Sequence, residues 1–76
     1  MDFEYSIHWN KKREKRKDIT DDMFEIAISS SRIIKDGRWE DAFNAIAIVP
    51  YTGRTLKVVY KKSGGKVFII TAYWVN

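Results

Sequence analysis

Three apolar runs fill the second half of the chain: 42–49 (AFNAIAIV), 54–61 (RTLKVVYK) and 66–75 (KVFIITAYWV). The stretches between them, 50–53 and 63–65, have lengths that suit hairpin connections. Val, Ile, Tyr, Phe and Thr dominate the last two runs and favour extended backbone. This pattern predicts an antiparallel meander. Near the start, residues 2–7 (DFEYSI) alternate, with Phe3, Tyr5 and Ile7 on one face and Asp2, Glu4 and Ser6 on the other. Such alternation marks a short, half-buried strand. Residues 32–41 (RIIKDGRWED) contain a turn at Asp36-Gly37 and leave open whether 32–35 form a further strand.

Two helices are expected between these extended segments. Residues 8–17 (HWNKKREKRK) are helix formers without Gly or Pro. Their six cations repel one another, so the helix needs a core or an anion to dock on. A second helix starts at Thr20, a good N-cap, with Asp21 and Asp22 placed where the helix dipole favours negative charge. Met23, Ile26, Ala27 and Ser30 then recur at helical spacing, with Phe24 and Ile28 widening the stripe, and Ser29 to Ser31 end it. The chain is 76 residues long and is expected to form one domain, residues 1–76. Two helices packed on a three- to four-stranded antiparallel sheet make it an α+β domain. Stability for this size is on the order of 5 kcal/mol.

The net charge is +4, and its distribution is uneven. Residues 8–17 carry a local +5, residues 51–66 carry another +5 with no acid, and the remainder is acidic. Segregated charge of this kind points to a face turned towards a polyanion. On the first helix His8, Lys12 and Arg16 fall on one line, with Lys11 and Lys15 close to it. Trp9 lies on another face and reads as a core anchor rather than a base-stacking platform. Strict alternation in 54–61 puts Leu56, Val58 and Tyr60 on one face with Arg54 and Lys62, and Lys57, Val59 and Lys61 on the other. In the last run it puts Phe68, Ile70, Ala72 and Trp74 on one side and Val67, Ile69, Thr71, Tyr73 and Val75 on the other. Both sides are apolar, so a partner or a second copy is expected to cover what the helices do not.

Several chemistries are excluded or disfavoured. The chain has no Cys and one His, which removes disulfides, thiolate nucleophiles and His-cluster metal sites. Asp21 and Asp22 diverge on a helix, and Asp36, Glu40 and Asp41 have no second acidic cluster to support them. No metal and no cofactor is expected. Gly64-Gly65 reads as a hairpin turn, not a phosphate loop. Neither an 18-residue apolar run nor a leader-like N-terminus is visible, so no membrane and a cytoplasmic location are expected. What remains needs only cations, an imidazole and a phenol, and RNA cleavage without metal is such a reaction. There a base takes the ribose 2′-hydroxyl proton, cations neutralise the phosphoryl oxygens, and an acid protonates the leaving oxygen. The candidates for those roles are His8, Arg54, Lys57 and Tyr73, with Arg38 also available. Lys11, Lys12, Lys15, Arg16, Arg38, Lys61, Lys62 and Lys66 are the candidates for holding RNA.

Three stretches carry a family resemblance. They are His8, Lys12 and Arg16 before Ile19-Thr20, the strand from Gly53-Arg54-Thr55-Leu56 through Lys57-Val58-Val59-Tyr60, and the terminal Ile70-Thr71-Ala72-Tyr73. Together they resemble the RelE/BrnT-like toxin superfamily, or a small family of undefined function close to it. That resemblance implies a helical pair on a twisted antiparallel sheet. It also implies a ribonuclease toxin whose basic sheet face is masked by a cognate antitoxin. Where the family pattern often has Arg near the end of the last strand, this chain has Tyr73, and many relatives continue into a further helix. The expectation is therefore a small RNA-binding protein, acting as a metal-independent endoribonuclease. A non-catalytic nucleic-acid-binding module and a protein-interaction module, including a homodimer, stand beside it.

Overall fold

The structure, a computed structural model, describes residues 1–30, 32–35 and 41–75, with residues 30 and 32–35 described by backbone alone. The turn at Asp36-Gly37 and the candidate Arg38 lie outside the described residues. In chain order the elements are β1 (Asp2–Tyr5), α1 (Ile7–Lys12), α2 (Asp21–Ser30), β2 (Arg32–Lys35), β3 (Phe43–Val49), β4 (Arg54–Ser63) and β5 (Lys66–Trp74). The strands form one sheet in the order β1-β5-β4-β3-β2. β2 to β5 are an antiparallel meander, but β1 runs parallel to β5. The expected all-antiparallel sheet of three to four strands is thus corrected to a mixed sheet with five strands among the described residues. A meander ends on an unpaired edge, and β1 pairs with the first half of that edge, Lys66 to Ile69. Hydrophobic alternation identifies strands and is blind to the direction of their partners.

α1 is shorter than the sequence suggests. Ser6 caps it, accepting a hydrogen bond from the Trp9 amide at 2.9 Å. It ends at Lys12, and the chain continues to Ile19 through successive turns, with Arg16 N–H donating to the Lys12 carbonyl at 3.1 Å. α2 begins directly after Thr20, whose carbonyl accepts from the Met23 and Phe24 amides. Its buried stripe is Met23, Phe24, Ala27 and Ile28, while Ile26 is only half-buried.

A single buried cluster joins Trp9, Ile19 and the α2 stripe to Ala45, Val49, Leu56, Val58, Tyr60, Val67, Ile69 and Ala72 of the sheet. Phe24, fully buried, meets Phe3 and Trp9 edge to face at centroid distances of 5.8 and 5.5 Å. Trp9 is the core anchor expected of it, 1% exposed.

The last strand departs from simple alternation. Between β4 and β5 the register shifts at Val59/Tyr60, so that Val59 faces Thr71 while Tyr60 faces Ile69. Ile70 is the extra residue of a bulge, which turns the strand and changes its phase. Val67 and Ile69 therefore share the core face with Ala72 and Trp74, correcting the two face sets read from strict alternation. Phe68, Thr71 and Tyr73 are left on the opposite face with Lys57 and Lys61. A two-residue turn links the strands, with Gly64 and Gly65 at φ of 53° and 83°. Those values suit a type I′ turn, where both central residues need positive φ.

Candidate functional site

The bulge and the end of β1 together build the site. β1 pairs with β5 only as far as Ile69, and the chain then crosses to α1, held by Ser6 N–H on the Ile69 carbonyl and Ser6 Oγ on the Ile70 carbonyl. α1 consequently lies beside the second half of β5. Trp9 enters the core, and Lys12, three residues on, reaches the opposite side of the sheet. There its Nζ lies 3.4 Å from Thr71 Oγ1 and 5.2 Å from the Tyr73 ring centroid. Lys57, the register partner of Tyr73 on β4, brings its own Nζ to 5.6 Å from the same ring. Two ammonium groups from separate elements thus share one phenol, and each such contact favours a positive charge near the ring face.

Like charges gathered at a half-buried position carry a cost. Burial, followed by the nearby Arg16 guanidinium, pushes the Lys12 ammonium below its ordinary value, partly opposed by Tyr73. An anion bound at Lys12 would offset that lowering. One strand over, Asn44 faces Val59 and keeps its Oδ1 buried with no hydrogen-bond partner among the described residues.

The sequence-derived candidates divide into separate groups. Lys12, Lys57 and Tyr73 converge, and Arg16 is near enough to affect Lys12. His8 is exposed one turn before Lys12 on the same face of α1. Arg54 lies on the core side of β4. It stacks on Trp74 at 4.4 Å and lies 3.9 Å from Asp18, which also accepts the Trp74 indole N–H at 2.7 Å. It is therefore not brought together with Lys57. Lys11 and Lys15 are exposed, Lys61 is half-buried opposite Phe68, and Lys66 pairs with Glu4 at 3.6 Å. Lys62 helps line an apolar hollow of about 250 Å³ with Met1, Ile28 and Val67, at the hairpin end of the sheet.

Thr71 is the residue that sequence reasoning missed. Thr71 occurs within the motif at the end of β5, but only its contact with Lys12 shows what it does. Among the described residues no group of three His, Asp or Glu side chains could hold a metal ion. Nor is any described helix long and apolar enough to cross a membrane. No protein-family model matches the chain, and neither a curated protein nor a solved structure matches it.

Proposed function

We propose that this chain is a small RNA-binding protein that grips the ribose-phosphate backbone at Lys12, Lys57 and Tyr73 and cleaves it without metal. The single observation that carries the reading is the pair of ammonium groups, from α1 and β4, held against one Tyr73 ring. With a phosphodiester bound beside the Tyr73 ring, Lys57 neutralises the non-bridging oxygens as negative charge builds. The neutral form of Lys12, reached more easily than an ordinary lysine's, takes the proton of the 2′-hydroxyl and becomes the ammonium. The 2′-oxygen bonds to phosphorus as the bond to the 5′-oxygen breaks, and the Tyr73 phenol supplies the proton to that leaving oxygen. The products are a 2′,3′-cyclic phosphate and a free 5′-hydroxyl. The resemblance to RelE/BrnT-like toxins adds a cognate antitoxin as the partner covering this face, with the two helices lying over the sheet as in that fold.

A second reading, binding without turnover, is favoured by one observation. Arg54 is held by Trp74 and Asp18 on the other side of β4, so it supplies no charge to a phosphate at Lys57. Incubating labelled RNA with the protein in EDTA separates the two. Cleavage that is lost in Lys57→Ala and Tyr73→Phe, with far-UV spectra unchanged, supports the nuclease. RNA that is shifted on a gel but stays intact supports the binding module, and RNA neither shifted nor cut removes both.

A further inference from the structure

The outer face of β4 and β5 carries a lysine–aromatic register pair twice. Lys57 is the register partner of Tyr73, and Lys61 is the register partner of Phe68. All four side chains are half-buried, neither sealed in the core nor free in solvent. The two lysines lie four residues apart, about 13 Å along the strand. Between them the face is closed by a small buried cluster of Ala42, Val59 and Ile70, against which Phe68 packs. Glu4 stands at register with Phe68 on β1, but its carboxylate is paired with Lys66.

We infer that Lys61 and Phe68 form a second nucleotide subsite, and that the ligand is single-stranded RNA lying along β4 and β5 with one base stacked on Phe68. This rests on the RNA-binding reading above and deepens it. A repeated cation–aromatic pair is what a single strand needs. Each lysine meets a phosphate while an open ring offers a flat surface to an unpaired base, and an extended strand spans the interval in a few nucleotides. Duplex RNA keeps its bases paired and stacked inside, so Phe68 would have nothing to stack on. At the first subsite the Tyr73 ring already carries two ammonium groups, which leaves Phe68 as the stacking ring and Tyr73 as the phosphate end.

The test uses the full chain and a fluorescent, 2′-O-methylated oligouridylate that cannot be cleaved, with a second version lacking one base. The wild-type protein is expected to bind the complete oligonucleotide about tenfold more tightly than the best-placed abasic version. Phe68→Leu keeps the apolar contact with Val59 and Ile70 and is expected to erase that difference. Lys57→Ala weakens both oligonucleotides and preserves it. Equal binding of complete and abasic strands by the wild type, or equal binding of the matching duplex, would overturn the subsite while leaving phosphate binding at Lys57 intact. No binding of any oligonucleotide by the wild type would remove the underlying reading as well. Should Phe68→Leu fail to fold, the abasic comparison on the wild type decides alone.

Discussion

Lys12 and Tyr5 show how single side chains tie pH to behaviour. Burial and Arg16 lower the Lys12 ammonium, so the charged form is disfavoured in the folded chain and its cost fades as pH rises towards the ordinary lysine range. A bound phosphate acts the other way and holds the proton on. Oligonucleotide affinity should therefore fall as pH rises through the free-state value of Lys12, at lower pH than for an ordinary lysine. Lys12→Arg, charged throughout, should flatten that fall in a fluorescence titration across alkaline pH. A steep decline surviving in the variant would assign the effect elsewhere. Tyr5 has the opposite sign. Burial, then its hydrogen bond to the Asp21 carboxylate, pushes the phenol up to about 12, against some lowering by Arg13, which stacks on the ring at 4.6 Å. Its folded value lies above the unfolded 10.0, so its contribution is complete below that pH and is lost as pH rises through about 12. Urea midpoints measured at either end of that window should converge in Tyr5→Phe relative to the wild type.

At the level of elements, the α2 stripe and the β4–β5 hairpin are where stability is concentrated. Phe24 is fully buried between Phe3 and Trp9, and truncating such a ring costs about 3–5 kcal/mol. A domain with only about 5 kcal/mol in total has little left after that loss. Phe24→Ala should be largely unfolded at 37 °C by circular dichroism, and a cooperative melt near the wild-type temperature would contradict the packing described. The hairpin turn is milder. A Cβ at Gly65 meets open space, so the strain of Gly65→Ala is conformational and should cost about 1 kcal/mol in chemical denaturation. Both features were legible in the chain, the stripe from its helical spacing and the turn from paired glycines. The length of α1 and the bulge at Ile70 were not. No Gly or Pro marks the end of α1, and the bulge depends on which residue of β4 meets which residue of β5.

Across the whole molecule, the two basic segments seen in the sequence resolve into different surfaces. Lys12 and Lys57 each approach the Tyr73 ring on the outer face of the sheet, while Arg54 serves a contact with Trp74 and Asp18 on the core side. Salt dependence should report this division. Each lysine contact with single-stranded phosphate contributes roughly 0.7 to the slope of log affinity against log salt. Lys57→Ala should reduce the slope by about that amount. Arg54→Ala should leave it unchanged and instead loosen the Trp74–Asp18 contact. An equal loss of slope in both variants would mean that RNA spans both faces.

By itself the amino-acid sequence determined the two helices, the meander, the core role of Trp9 and the face shared by Lys57 and Lys61. Each of these follows from local periodicity, capping chemistry or the need of a small domain to bury its largest rings. Only the tertiary structure decided that β1 closes the β5 edge in parallel, that Tyr73 stands opposite Lys57, and that Lys12 reaches Tyr73 and Thr71. The contacts of Ser6 and Lys12 with β5 join residues some sixty positions apart through one crossing of the chain, and the bulge sets which residue of β4 faces Tyr73. Periodicity repeats along a strand and carries no record of where its neighbour slips by one.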